Sequence, residues 1–403
     1  LLPIIFRIEP KMKTVLASFL GKGPLNKETN RFEYGEVKYH RGSFEKQTRF
    51  IQVAVAAYLE REGEQLDEVI IFATKEARKH QEKNLRLAWR QAELVMPLRF
   101  VDVADGGSQS EAESIFAKMI EKIPAGEVTL HFDVTHGFRI QPIIGLWSME
   151  FHEALQKDFR LGEIFYGEFN SREILVLTEI ARVRDWVQSI RQFKESGQLR
   201  LLASLAGSAQ AAARRQSYPA NMGALASKLG KFADYVEAAA LEKAADFAKE
   251  VLAAIGLAES DTHVSVFLKP VLAELRELFD PICAKVGFRA QFSIIQWVAE
   301  TGRLQLGLVL ATEWLISVRM RHEDIYDADR RKEVSWSMSS RDAASGPLVR
   351  AFVAVQELRN SYSHAWMNRA DLPKNPYETG EKQLRKAVVL MEEVLEEIGG
   401  RDD

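Results

Sequence analysis

The 403-residue sequence contains one cysteine, Cys283. That excludes an intramolecular disulfide framework and a cysteine-rich zinc site. It fits a reducing compartment, and the expected location is the cytoplasm. No uninterrupted apolar run approaches the ~18 residues of a membrane span. The best candidate, Leu304–Ile316, is interrupted by Gln305 and Glu313. An excess of one charge is also missing. Lys and Arg number 54 against 57 Asp and Glu, for a formal net charge of -3. A chain so close to neutral is not coated for bulk nucleic-acid binding, so any such contact belongs to a local patch or a catalytic site. The sequence has no G-x-G-x-x-G after its first strand pattern, no G-x-x-x-x-G-K-[ST], no H-E-x-x-H, no G-x-S-x-G and no paired His/Cys cluster. Readings as an NAD enzyme, an ATP hydrolase, a zinc hydrolase or an α/β-hydrolase lose support, and no cofactor or metal is expected.

What is present is the composition of a folded, soluble globular protein, 46% hydrophobic and 28% charged, with a length that suggests two or three domains. The opening segment, residues 1–11, is too short and too poor in basic lead-in for a signal peptide. It is expected to be a tag or upstream remnant, with Met12-Lys13 as the natural start. Thr14–Phe19, Glu68–Ala73, Leu98–Val103 and Val128–Val134 read as buried strands rich in Val, Ile and Phe. Amphipathic segments alternate with them, over Lys46–Arg61, Lys75–Leu94, Ser110–Ile123 and Gly137–Leu155. Strand-helix alternation predicts a Rossmann-like α/β domain with a mostly parallel sheet. Glu163–Phe169 and Ile174–Ile180, joined through Asn170-Ser171-Arg172, predict a terminal antiparallel hairpin.

After about residue 181 the texture becomes all-α. Helices are predicted over Asp185–Leu205, Gly223–Ile255, Ser265–Val286, Ser293–Arg321, Gly346–Ser361 and Gly380–Ile398, punctuated by Pro219, Gly256, Pro281 and Gly287. Ala203–Ala213 is rich in small residues and reads equally as a linker or a tight helix face. The charged stretch Asp324–Ser345 reads as a loop.

Two polar clusters carry the functional reading. The first is Asp133-Val134-Thr135-His136-Gly137, at the carboxyl end of one strand and the amino end of the next helix. In open α/β sheets ligands bind at that edge, and free N–H groups with the helix dipole favour phosphate there. Other strand ends point the same way: Ser18 with Gly21-Lys22-Gly23, then Thr74-Lys75, then Gly107-Ser108. A nucleotide-type site and the ordinary glycines and caps of a Rossmann-like sheet are both compatible with these residues.

The second cluster is Arg359-Asn360-Ser361-Tyr362-Ser363-His364, behind an apolar helix bearing Leu348, Phe352, Val355 and Leu358. A guanidinium can grip a phosphate through two parallel hydrogen bonds, and an imidazole can move protons near neutral pH. Together they suit metal-independent RNA cleavage through the 2′-hydroxyl, with Asn360 in support. On an ideal helix Arg359 and His364 stand about 140° apart, so the pair requires the helix to end near Ser361 or Ser363. Arg and His near helix ends are also common without any catalytic role. His131, inside a strand, reads as packed. His322 reads as solvated, and Trp297 and Trp314 read as core.

Taken together, the clusters resemble a known family. Asp133-Val134-Thr135-His136-Gly137 resembles the D-x-T-H-G signature of CRISPR-associated accessory proteins, and Ala17-Ser18-Phe19-Leu20-Gly21 resembles their first strand and loop. Arg359-Asn360-Ser361-Tyr362-Ser363-His364 resembles the R-N-x-x-x-H motif of HEPN ribonucleases. The resemblance implies a CARF (CRISPR-associated Rossmann-fold) ligand-sensing domain over residues 12–180, a helical connector over 181–290 and a HEPN ribonuclease domain over 291–403. It implies a type III CRISPR antiviral effector: an endoribonuclease, a hydrolase allosterically activated by a cyclic oligoadenylate. Cyclic tetra-adenylate is the first expectation for the ring and hexa-adenylate the second.

The expected partners are single-stranded RNA and a second copy of the chain, as a homodimer or an assembly of dimers, without a membrane. On this resemblance Arg359, Asn360 and His364 are catalytic and leave a 2′,3′-cyclic phosphate. Ser18, Gly21, Lys22, Gly23, Thr74, Gly107, Ser108, Thr135, His136 and Gly137 bind the activator, and Asp133 braces the turn. The family pattern has Gly-Thr-Gly where this chain reads Gly21-Lys22-Gly23. The alternatives are a CARF-type ligand-binding regulator and a ring nuclease that degrades cyclic oligoadenylate.

Overall fold

The computed structural model describes residues 12–28, 30–215, 221–261, 268–339, 346–363 and 375–398. The chain divides into two compact units after Arg182.

Alternation along the first strand sets the layers of the first unit. On β1 (Lys13–Leu20), Val15, Ala17 and Phe19 enter one apolar core while Leu16 and Leu20 enter another, as the period-2 geometry of a strand requires. Two small hairpins follow, β2 (Leu25–Asn26) with β3 (Arg31–Phe32) and β4 (Val37–Arg41) with β5 (Phe44–Thr48). Then come α1 (Ile51–Arg61), β6 (Glu68–Ala73), α2 (Lys75–Gln91), β7 (Leu98–Asp102), α3 (Gln109–Lys122), β8 (Val128–Asp133), α4 (Ile140–Leu155), β9 (Phe159–Gly167), β10 (Ile174–Val176) and the one-turn α5 (Thr178–Ala181). The main sheet has the order β10-β9-β8-β1-β6-β7, and every pair in it is parallel except β9 with β10.

Residues of α1 and α2, among them Val55, Leu59, Leu85 and Trp89, bury against Leu16, Leu20, Val69 and Ile71. On the opposite face Ile115, Met119, Ile144 and Met149 of α3 and α4 bury against Phe19, Phe72, Leu130 and Phe132. Each such side chain contributes roughly 1.5–3 kcal/mol by leaving water. Gly145 lets α4 sit close to the sheet, because a Cβ there would collide with the ring of Phe132.

The helix expected from Lys46 begins at Ile51. Residues 44–48 pair with β4 instead, with Phe44 and Thr48 buried at alternate positions. The strand expected to reach Ile180 stops at Val176. There Ile164 exchanges its ladder bonds with Leu177 N and Thr178 Oγ1, and α5 starts.

The regular elements among the described residues of the second unit are all α-helices: α6 (Val183–Ser196), α7 (Arg200–Arg215), α8 (Met222–Glu237), α9 (Leu241–Ser260), α10 (Lys269–Cys283), α11 (Gly287–Glu300), α12 (Leu304–Arg319), α13 (Ala328–Ser339), α14 (Pro347–Ser363) and α15 (Pro376–Ile398). The fold class is thus the expected one, a mostly parallel α/β unit followed by an all-α one. Three long predicted helices are each two. The chain turns at Gly197 (φ 64°), Ala239 (φ 55°) and Gly302 (φ 69°), left-handed conformations that end a helix. Ala203–Ala209 lies within α7, and Pro281 sits in the last turn of α10 rather than breaking it.

The stretch expected as a loop over Asp324–Ser345 contains α13. Asp327 Oδ1 accepts the amides of Asp329 and Arg330 at 3.1 and 3.0 Å, and Val334 and Met338, one turn apart, bury against the core. One apolar cluster runs from Trp186 to Leu395 through residues on both sides of position 290. Among the described residues no helix is long and apolar enough to cross a membrane.

Candidate nucleotide site and candidate nuclease motif

From β1 the chain steps outward to β6 and β7, then returns past β1 to lay down β8 and β9. Strand order therefore reverses between β1 and β8. Such reversals open a crevice at the carboxyl ends of the two strands, where α/β folds bind ligands. Gly21-Lys22-Gly23 leaves β1 at this point, and Thr135-His136-Gly137 leaves β8.

A buried carboxylate ties the two strand ends together. Asp133, fully buried and in register with Ser18, accepts from Ser18 Oγ at 2.7 Å, from Thr135 N at 3.0 Å and from Thr135 Oγ1 at 2.5 Å. Burial raises its pKa, and these hydrogen bonds oppose the rise. Thr135 Oγ1 in turn accepts the Gly167 amide at 2.7 Å. Ser18, Asp133 and Thr135 therefore form an internal brace across β1, β8 and β9. Gly137 (φ 108°) has no room for a side chain, since a Cβ would stand 2.7 Å from Gln141 Oε1 and 3.1 Å from Phe19 Cβ. Gln141, buried at the start of α4, accepts the Phe138 amide and donates to Ala104 O, at 3.0 and 2.9 Å.

The glycine loop is held from two sides. Gln81 Nε2 donates to Lys22 O and Phe32 O at 2.7 and 2.8 Å, and Lys22 Nζ lies 4.5 Å from the centre of the Phe32 ring. Tyr34 reaches over the loop. Its hydroxyl lies against Gly21, where a Cβ would stand 2.7 Å from the oxygen, and burial pushes the phenol above its ordinary pKa range. The Tyr34 ring packs on His136 with 4.9 Å between ring centres. Burial holds His136 neutral, its pKa lowered to about 4. His136 Nε2 and Gln52 Oε1 are both sealed from solvent with no hydrogen-bond partner among the described residues. Gln52 Nε2 donates to Phe19 O at 2.8 Å.

The remaining strand ends are occupied differently. Thr74 Oγ1 caps α2 by accepting the Ala77 amide at 3.2 Å. Ser108 Oγ caps α3 through the Glu111 amide at 3.2 Å, while Glu111 Oε2 takes the amides of Gly106 and Gly107 at 2.9 and 2.8 Å. The β7 end is thus filled by the chain's own carboxylate. The S-x-x-E spacing of Ser108 and Glu111 carries that signal in the sequence. Tyr34, Gln52, Gln81 and Gln141 belong to no motif and emerge only from the fold.

In the helical unit, α14 is anchored by Ala351, Phe352, Val355 and Leu358, all buried in the apolar core. Arg359, half-buried, and Asn360, exposed, follow directly on the helix surface. Arg359 has no hydrogen-bond or ion-pair partner among the described residues. Behind them Tyr362 Oη donates to Pro376 O at 2.5 Å, joining α14 to the start of α15. The helix is continuous through Ser363, and His364 lies outside the described residues. Trp314 is core, with its indole N–H on Phe288 O at 3.0 Å, and His131 is packed inside β8. Among the described residues no group of three or more His, Cys, Asp or Glu side chains is placed to hold a metal ion.

The chain is similar to a solved Csm6. That structure is Enterococcus italicus Csm6 bound to cyclic hexa-2′-fluoro-hexa-dAMP, with a TM-score of 0.37 and 13% identity over 96% of this chain and 95% of that one. No family model matches the chain, and no curated protein matches it.

Proposed function

We propose that this chain is a cytoplasmic, cyclic oligoadenylate-activated endoribonuclease of CRISPR antiviral defence. In this reading residues 12–180 sense the ring, 181–290 connect, and 291–403 cleave single-stranded RNA. The observation that carries the reading is the meeting of the D-x-T-H-G segment and the glycine loop at the reversal of strand order between β1 and β8. Amides, a lysine and a neutral histidine there suit the phosphates and bases of a small nucleotide.

In the nuclease step the 2′-hydroxyl of a ribose loses its proton and its oxygen attacks the adjacent phosphorus. The bond from phosphorus to the 5′ oxygen breaks, and that oxygen takes up a proton. The products are a 2′,3′-cyclic phosphate and a free 5′-hydroxyl. His364 transfers the proton, Arg359 stabilises the charge growing on the phosphate oxygens, and Asn360 orients the pair. The unpaired Arg359 on the surface of α14 supports this role.

A second copy of the chain is the proposed partner. A ring of identical nucleotides suits a two-fold site to which each protomer gives the same contacts. On α4, Ile143, Trp147, Phe151 and Leu155 form an i, i+4 row that is 44–67% exposed, a face suited to self-association.

The test is an assay with end-labelled single-stranded RNA and a panel of cyclic oligoadenylates, run in the presence of a chelator. The expected outcome is cleavage with one ring size, tetra-adenylate first, leaving cyclic-phosphate ends. No cleavage with any ring contradicts the proposal.

A further inference from the structure

The hairpin turn between β9 and β10 stands at the same sheet edge as the glycine loop. β9 runs parallel to β8, so both strands end there, and the Gly167 amide donates to Thr135 Oγ1 at 2.7 Å. Two residues beyond that bond is Phe169, an apolar ring that is 70% exposed. Arg172 covers one face of it, with the guanidinium 4.5 Å from the ring centre, and the high exposure leaves the opposite face open. The turn itself is firmly held. Glu168 Oε2 accepts the amides of Asn170 and Ser171 at 2.6 and 2.5 Å, and His40 bonds to the carbonyls of Ser171 and Arg172 at 3.0 and 3.1 Å. Arg172 takes the left-handed conformation (φ 63°) that glycine adopts freely. Such strain persists where the surroundings fix it, and it gathers at ligand clamps. Among the described residues no carboxylate pairs with the Arg172 guanidinium.

We propose that Phe169, backed by Arg172, is a base-stacking post of the nucleotide site and takes one adenine of the activator on its open face. This rests on the nucleotide-site reading above. Bases stack on aromatic rings and on guanidinium planes, and stacking asks only for a π-face in a fixed place. In this reading the phosphates lie on the loops leaving β1 and β8, and a base reaches past Thr135 to Phe169. The Glu168 carboxylate in the same turn disfavours a phosphate at this spot, so the neutral base is the part that belongs here. The residues around the ring are polar: Glu168, Asn170, Ser171 and Glu173. A single ring in such a setting suits a flat heteroaromatic ligand better than the apolar face of a second copy.

The experiment titrates cyclic tetra-adenylate and hexa-adenylate by calorimetry into the wild-type chain, Phe169→Ala and Phe169→Trp. Phe169 is exposed in a turn, so its replacement leaves the fold standing. Phe169→Ala is expected to bind the ring about fivefold to 150-fold more weakly, the worth of one stacked base. Phe169→Trp is expected to bind at least as tightly as wild type. Its added tryptophan gives a second readout, a quenching of fluorescence on ring binding beyond that of the wild type. Equal affinity in wild type and Phe169→Ala overturns the proposal and leaves the nucleotide site standing. So does weakened binding that Phe169→Trp fails to restore, or restored binding without the added quenching. Weakened binding by Phe169→Ala together with a smaller mass of the ligand-free chain in sedimentation assigns Phe169 to a contact between copies, and also overturns it. No binding of either ring by the wild type overturns both readings.

Discussion

The two candidate sites are built on opposite principles. At the sheet edge most polar groups are already satisfied within the chain: Asp133 by Ser18 and Thr135, Thr135 by Gly167, and the Gly106 and Gly107 amides by Glu111. On α14, Arg359 and Asn360 stand at the surface with an apolar anchor beneath them, and among the described residues no side-chain hydrogen bond or ion pair holds them. The first arrangement specifies shape before a ligand arrives. The second, on the proposed function, leaves its groups free to meet a phosphate or a second protomer. The contrast teaches that one substitution type should read out differently in the two places, as folding at the edge and as rate on the helix.

The largest expected effect is on RNA cleavage. His364→Ala is expected to lower RNA cleavage by about 10²–10⁴-fold and Arg359→Ala by about 10²–10³-fold. Both should keep ring affinity, and Arg359→Ala should keep a urea midpoint close to wild type, because surface substitutions usually change stability by within about 0.5 kcal/mol. Wild-type cleavage in either variant breaks the assignment. Next comes Asp133→Ala, which leaves the Ser18 and Thr135 donors without their buried acceptor. It is expected to cost about 2–4 kcal/mol in urea unfolding. An unchanged midpoint would erase the contrast between the two regions.

The smallest effect is a drift with pH. Burial lowers the pKa of His131 from 6.5 to about 4. Between those values the unfolded chain takes up a proton that the folded chain refuses. The contribution is therefore whole above pH 6.5 and is lost as pH falls toward 4, on the order of 3 kcal/mol at most. His136 acts in the same sense. Asp133, whose pKa burial raises, acts in the opposite sense and gives most at low pH. His131→Gln, which keeps an acceptor for the Glu163 amide now bound at 3.0 Å, is expected to flatten the fall in urea midpoint between pH 6.5 and 4.5. An unflattened curve assigns the drift elsewhere.

The parts legible in the sequence were those fixed by local pattern. Short apolar runs rich in Val, Ile and Phe marked β1, β6, β7 and β8, and Thr74 and Ser108 had cap chemistry. Lys46 was misread because its neighbours share polar, helix-compatible residues, and only pairing across a hairpin with β4 makes them a strand. The charged stretch that contains α13 hid two seated residues, Val334 and Met338, which buried contacts made helical. At the site, the loops leaving β1 and β8 were visible as motifs. Tyr34, Gln52 and Gln81 were not, because each reaches its partner across many residues of chain, and no local spacing encodes that meeting.

Ser18 and Asp133 face each other in the ladder of β1 and β8 and share a 2.7 Å hydrogen bond. Sliding one strand by a single residue would break that bond and turn the moved strand's side chain toward the opposite layer. The central strands are therefore locked in phase. Any movement at this edge is therefore expected in the flanking loops and α4, with the sheet as the fixed fulcrum rather than the moving lever.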